Sequence, residues 1–469
     1  MLKSLIYLPI FFLSASVLSQ GKAEDYAHYI NKEELSKHLH VIASDSFAGR
    51  ETGYEGQKLA ADYLIASFKE DGLQAPPSHP DYRFPFQVLE TVFSGSLTLH
   101  KKKLQLQEDF FYLFANEQSQ REGSYKLIVD LKATSESSIK GNDVVFYAND
   151  TLTSFQIIAE YRALKKFGAA SVTCIVDNYE KHFEILEHHV TSSKMTLIDD
   201  DKKEQVPLLF VDVNKVGKSL KKLDFSFAVS TASKVLDTEN VLAFIEGTDS
   251  ILKNEVLVLT AHYDHIGAHD GKIFNGADDD GTGTVALLEI AEAFQRAKDE
   301  GNGPKRSLLI MPVAGEEKGL LGSSYYSDHP IFAMENTITN LNIDMIGRVD
   351  EVHQGKADYV YIIGSNMLSN DLHDANERAN TEFVNLELDY TYNSLEDPNR
   401  FYYRSDHYNF AKHDVPSIFY FSGVHEDYHQ ATDTVDKIDF DKVEKVSRLV
   451  YHTAWILLNA ENRPELISQ

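Results

Sequence analysis

A single cysteine, Cys174, stands in a chain of 469 residues. One thiol can make no internal disulfide, so the fold cannot depend on one even in an oxidising compartment. Its setting, Ser171-Val172-Thr173-Cys174-Ile175-Val176, reads as a buried strand and places the thiol in a core, away from any nucleophile's role. Basic residues are also scarce, with 45 Lys and Arg against 72 Asp and Glu and a net charge of −27. A phosphate-backbone partner needs clustered positive charge, which excludes nucleic acid as the partner class. The acidic excess serves solubility and also suits divalent-metal chemistry. Long apolar runs are missing too: the stretch from Leu5 to Leu18 falls short of the ~20 residues a bilayer span requires. Preceded by Met1-Leu2-Lys3, it reads as a cleavable signal peptide over residues 1–19, with Val17 and Ser19 ahead of a cut before Gln20. The expectation is an exported protein, periplasmic or extracellular, with no stable membrane span after cleavage and no cysteine near the new N-terminus for lipid attachment. There is no internal repeat and no low-complexity tract.

The apolar fraction, 43%, is ordinary for a globular protein. The length exceeds what one hydrophobic core usually supports, so two compact bodies or one large α/β domain with an insertion are expected. From Glu55 to Gly72, the residues Leu59, Ala60, Tyr63, Leu64 and Phe68 recur at helical spacing and Gly72 supplies a stop. Between about Glu90 and Asp237 the texture changes to short strands (Ser96 to Leu104, Asp143 to Tyr147), a helix from Phe155 to Phe167, and apolar runs at Ala170 to Val176 and Val206 to Val213. Beyond Asn240, strands at 241–244, 256–260, 308–313 and 337–343 alternate with helices, the clearest being Gly283 to Arg296 and Asp441 to Leu458. That alternation predicts an α/β fold: a mixed, largely parallel central sheet flanked by helices, with a smaller α/β or β-rich domain inserted. The expected parts are a signal peptide (1–19), an N-terminal piece of the main domain (20–90), the insert (91–236) and the remainder of the main domain (237–469).

Five short polar segments lie at predicted strand ends or in loops. They are Ala261-His262-Tyr263-Asp264-His265, Gly276-Ala277-Asp278-Asp279-Asp280-Gly281, Gly315-Glu316-Glu317, Asn342-Ile343-Asp344-Met345 and Asp427-Tyr428-His429. Open α/β sheets gather ligands outside the carboxyl ends of their strands, so these sequence-distant segments should converge. Imidazole nitrogens and carboxylate oxygens are what zinc takes, and catalytic sites leave a position for water. In their order the segments resemble the co-catalytic di-zinc aminopeptidases of metallopeptidase clan MH, relatives of bacterial leucyl aminopeptidases and glutamate carboxypeptidase II. Gly49-Arg50-Glu51-Thr52-Gly53 resembles that family's N-terminal signature, and the insert resembles a protease-associated domain.

The resemblance implies a zinc metallo-exopeptidase acting on peptide substrates, with two Zn2+ per chain. It implies that His262 and Asp344 hold one zinc, Glu317 and His429 the other, and Asp279 bridges them, the middle aspartate matching the Gly-x-x-Asp-Asp-Gly pattern. Glu316 would be the general base. Asp264 would accept the second ring proton of His262, since the two share one side of a strand, and Ser405-Asp406-His407 would support His429. His265, His269, His407 and His413 have no ligand match and are expected around the site or at the surface. One rival pattern exists: His425-Glu426-Asp427-Tyr428-His429 spells the helical zincin motif H-E-x-x-H. The segments on either side lack the apolar periodicity of a buried helix, so a loop is expected there instead. A carboxypeptidase, a glutaminyl cyclase and a receptor-like binding protein share the fold; a carboxypeptidase would need a basic pocket, for which Arg404 is available.

Overall fold

The computed structural model describes residues 22–114, 118–128, 134–190, 193–198, 206–217 and 224–467. The proposed signal peptide lies outside them. Two compact units emerge, one from the chain up to Phe86 together with Asp237 onward, the other from Gln87–Leu236.

The first unit is organised by four adjacent parallel strands, Ser307–Val313, Val256–His262, Thr337–Ile343 and Ser417–Phe421, in that spatial order. Ala243–Ile245 adds antiparallel at one edge. Tyr359–Ile363, antiparallel to Ser417–Phe421, and Glu387–Asp389 complete a seven-stranded sheet. Every residue of the four central strands is buried. Helices cover both faces of such a sheet, which explains why strands such as Val-Leu-Val-Leu-Thr-Ala-His show no polar alternation. The polar residues that do occur inside are paired with one another. Thr260 Oγ1 donates to Asn342 Oδ1 (2.7 Å), Asn342 Nδ2 donates to Ser405 Oγ (2.8 Å), and Ser405 Oγ donates to Asp344 Oδ2 (2.6 Å). This chain carries orientation from mid-sheet to its carboxyl edge.

Helix Gly283–Asp299 lies against the sheet, burying Val285, Leu288, Ala291 and Phe294. Phe294 stacks on Trp455 and tilts against Tyr451 of the closing helix Phe440–Asn459. Full burial of a Phe side chain contributes about 2–3 kcal/mol. Helix Lys32–Ile42 begins where the Asn31 side chain accepts from Glu34 N, and buries Leu35, Leu39 and Ile42.

The second unit holds a five-stranded sheet in the order Phe110–Leu113, Leu208–Asp212, Ser171–Val176, Asp143–Ala148, Lys126–Leu127. All but the first of these strands are parallel to their neighbours. Cys174 is wholly buried in it. A second sheet is built on two strands of unusual length, Arg83–Leu99 and Asp224–Val241. Sequence reading expected one strand from Ser96 to Leu104. Instead the chain turns at His100 and Lys101, whose φ angles are positive, and Lys102–Leu104 returns antiparallel on Leu97–Leu99. Among the described residues, no helix is long and apolar enough to cross a membrane.

Candidate metal centre

The parallel strands end at one edge, and each delivers polar side chains there. His262 is the last residue of its strand, Asp344 follows Ile343 directly, Glu316 and Glu317 lie just past Val313, and His429 sits beyond Phe421. Asp279 arrives on the loop that opens helix Gly283–Asp299. That loop leaves no room for larger residues: a Cβ on Gly283 would stand 2.5 Å from the Asp280 carboxylate and 2.6 Å from Ile343 O.

His262 Nε2 is 3.2 Å from Asp279 Oδ1 and 3.6 Å from Asp344 Oδ1. On the other side, His429 Nε2 is 3.2 Å from Asp279 Oδ2 and 3.1 Å from Glu317 Oε2. The two oxygens of Asp279 thus face two separate donor groups. Zinc–ligand bonds of about 2.0–2.1 Å arranged tetrahedrally place donor atoms about 3.3 Å apart, and the observed edges agree. His262 Nε2, Asp279 Oδ2 and Glu317 Oε1 are buried without a hydrogen-bond partner. Leaving such groups unpaired is costly, and a divalent cation would satisfy them. The electrostatics point the same way. Burial opposes charge on His429, yet Glu317 and Asp279 push its pKa up to about 11, and Glu316 and Asp344 likewise raise His262. The cluster draws positive charge to itself, and its donor set fits zinc.

Residues 240–454 match the family model for peptidase family M28. Over this segment the chain is similar to that family. Among curated relatives, the aminopeptidase YwaD of Bacillus subtilis is 24% identical over 296 residues, 59% of this chain and 60% of that protein. A probable zinc metalloprotease of Pyrenophora teres f. teres is 26% identical over 288 residues, 52% of this chain and 57% of that protein. The matched part thus spans less than two thirds of these relatives' length. Of solved structures, an aminopeptidase from Aneurinibacillus sp. strain AM-1 superposes with a TM-score of 0.63 at 17% identity, covering 95% of this chain and 97% of that one. The zinc aminopeptidase BSAP from Bacillus subtilis gives 0.57 at 17% identity, covering 92% and 96%. These two share the fold, a mixed α/β architecture with helix-flanked sheets.

Around the donor set, the flanking aspartates hold backbone. Asp280 accepts from the amides of His262 (3.1 Å), Gly283 (2.9 Å) and Met345 (3.1 Å). Asp278 accepts from Gly347 N (2.6 Å), and its other oxygen is 3.2 Å from His425 Nε2. His425 therefore serves Asp278, and residues 426–429 form turns, not the helix that a zincin needs. Met345 and His429 adopt left-handed φ values of 55° and 56°, conformations that cost about 1–3 kcal/mol and persist where the surroundings over-determine them.

Two expectations are corrected here. His262 Nδ1 lies 3.1 Å from the main-chain oxygen of Asp264, whereas the carboxylate is 3.8 Å away. The strand ends at His262, so the alternation that would have brought the carboxylate to the ring does not continue. That carboxylate instead accepts from Thr52 Oγ1 (2.7 Å) and from Glu316 N (3.2 Å), fixing the Glu316 backbone rather than the ring. Ser405 supports Asp344 and not His429, Asp406 takes a hydrogen bond from Ser323, and His407, wholly buried, has its pKa pulled down to about 3 by desolvation. His265, expected around the site or at the surface, is fully buried beside it, with Nδ1 2.7 Å from Glu317 Oε1. By contrast, His269 and His413 lie towards the surface.

Two holding residues complete the centre. Arg50, fully buried, donates to the carbonyls of Ile42, Tyr263, Asn275 and Gly276 at 2.7–2.9 Å. Burial pulls its pKa down to about 10 against the pull of Asp264 and Asp433. Asp433, which sequence reading passed over, accepts from the amides of Asp278 (3.0 Å) and Asp279 (3.2 Å). Only the acidity of the Asp-Thr pair after His429 hinted at it.

A small cavity opens beside the cluster. Its walls are Met345, Phe401, Phe419, Phe421, Val424 and Tyr428, with Arg404 at one side and His262, Asp279, Glu316, Asp344 and His429 at its base.

Proposed function

We propose that this chain is an exported two-zinc aminopeptidase that removes N-terminal residues from peptides. The observation that carries the reading is the division of donors about Asp279: one oxygen faces His262 and Asp344, the other His429 and Glu317, with edges of 3.1–3.6 Å. In this reading His262, Asp344 and Asp279 hold one zinc, and Glu317, His429 and Asp279 the other. Bound zinc supplies Lewis-acid polarisation of the scissile carbonyl and lowers the pKa of water towards neutrality.

The protein's own groups do the rest. Glu316 borders the cavity with Oε2 3.9 Å from His262 Nε2. Burial first, then the Asp344 and Glu317 charges, raise its carboxyl well above the ordinary value. A carboxylate so placed takes a proton from the attacking water and returns it to the leaving amine. Asp264 holds the Glu316 backbone in place through its amide. The aromatic wall suits an apolar first side chain, and the carboxylates at the cavity base favour a cationic α-amine. Asp264 thus contributes by positioning. The unit Gln87–Leu236 is read as a protease-associated insert on its β-α-β order.

A second reading has one observation in its favour: Arg404 lines the cavity and could bind a substrate's terminal carboxylate, as a carboxypeptidase requires. Peptides offered with free and acetylated N-termini distinguish the two. Single residues should leave free N-termini only, chelation should abolish release, and zinc should restore it. Undiminished cleavage of acetylated peptides, or trimming from the C-terminus, refutes the aminopeptidase reading. Export is tested separately, by whether the full chain appears outside the cytoplasm with its N-terminus cut before Gln20.

A further inference from the structure

The second donor group contains one imidazole more than the proposal needs. His265 is wholly buried, and both its ring nitrogens lack a hydrogen-bond partner. Its Nδ1 lies 2.7 Å from Glu317 Oε1 and 3.9 Å from Asp279 Oδ2. The contact with Glu317 is short enough for a hydrogen bond but lacks its alignment, since Oε1 is itself without a hydrogen-bond partner. Two unpartnered donor atoms, close together and not pointing at each other, are what a shared cation leaves when it is taken away. Chance placement of the side chain is a poor alternative here, because the ring is held on two sides. Its backbone amide is tied to Arg50 O (3.2 Å), and a Cβ on Gly276 would meet the ring at 2.5 Å.

We propose that His265, through Nδ1, is a further ligand of the metal held by Asp279, Glu317 and His429; this rests on the two-zinc reading above. That metal then has two imidazoles and two carboxylates, a full tetrahedral set of protein donors, the composition of a closed site. The metal at His262, Asp279 and Asp344 has three, the composition of a site with a position left for substrate or water. The two positions are therefore unequal: one retains its metal tightly, and the other exchanges.

The test is metal binding to the full chain, read without activity. Zinc is titrated against a chelating indicator for the wild type, His265→Ala and His262→Ala, and the metal content of each is measured after dialysis. The wild type should bind two equivalents with separated dissociation constants. His262→Ala should keep one equivalent at the tighter constant, and His265→Ala should weaken that tighter constant at least about tenfold. His265→Cys provides the direct observation, because a thiolate reaches about as far as an Nδ1-bound ring. Loaded with cobalt(II), it should show a thiolate-to-cobalt charge-transfer band that the wild type lacks. Unchanged constants in His265→Ala, or no such band in His265→Cys, overturn the assignment of His265 while leaving two-metal binding by the wild type intact. A wild type that saturates at one equivalent overturns the two-zinc reading and this inference together. Should His265→Ala fail to fold, the cysteine variant carries the decision alone.

Discussion

Glu289 offers a prediction whose size can be worked out. It sits in the middle of helix Gly283–Asp299, 2% exposed, with Oε1 3.5 Å from His38 Nε2 and Oε2 without a partner. Burial first, then Glu292, Glu34 and Asp71, push its carboxyl from 4.5 up to about 8. His38 gives no relief near neutral pH, since its own burial lowers its pKa and keeps the ring uncharged. The folded value is above the unfolded one, so the protonated carboxyl supports the fold fully below pH 4.5, and the support is lost as pH rises towards 8. At about 1.36 kcal/mol per pH unit, over about three and a half units, the loss reaches about 5 kcal/mol. Glu289→Gln removes the titration and keeps the shape. The variant and the wild type should be about equally stable near pH 4.5, and the variant should be the more stable by about 5 kcal/mol from pH 8 upwards. Urea unfolding followed by tryptophan fluorescence suits the measurement, because the only tryptophan is Trp455, stacked on Phe294 of the same helix. It reports on this unit alone. A difference that stays flat from pH 5 to 9, or that grows towards acid, would mean that Glu289 is ionised in the fold, and the reasoning would fail.

Three further outcomes are expected. Glu316→Gln should retain its metal, by elemental analysis, while turnover falls about 10²–10⁴-fold, the range for loss of a general acid–base; near-normal turnover would remove Glu316 from the mechanism. Asp279→Ala should lose both metals, whereas His425→Ala should bind both and lose only stability, about 1–3 kcal/mol for the unpaired Asp278 oxygen; metal loss in the second and not the first would revive the zincin reading. Arg50→Lys should destabilise the unit by about 3–5 kcal/mol, because one ammonium cannot serve four carbonyls spread around a planar fork; a wild-type unfolding midpoint would show that those carbonyls need no such clamp.

The central sheet was legible because burial on both faces writes itself as uninterrupted apolar runs, as at Val256–His262 and Ser307–Val313. The five donor segments were legible because strand ends bring them to one edge. What escaped was decided by through-space contact. The Asp264 carboxylate meets Thr52 and Glu316 only because the chain leaves the strand after His262. Ser405 reaches Asp344 through a ladder of Thr260 and Asn342 that spans three segments. His265 resembled any other histidine after a strand until Glu317 was seen beside it. Arg83–Leu99 was broken up in the reading because its exposed half, rich in Ser and Thr, resembles loop sequence.

Arg50 and Asp433 clasp the same loop, one from 225 residues before Asn275 and the other from 155 residues after Asp278. On a ribosome adding roughly 5–20 residues per second, Asp433 emerges roughly 20–80 seconds after Arg50. Until the close of that interval the nascent chain, even once His262, Asp279, Glu317 and Asp344 are made, lacks both His429 and the carboxylate that anchors the Asp279 loop. On the two-zinc reading proposed above, a nascent chain in that state lacks a donor to one metal and the clasp on the bridging aspartate. The donor set is therefore completed late, when the segment bearing His429 and Asp433 closes on the Asp279 loop.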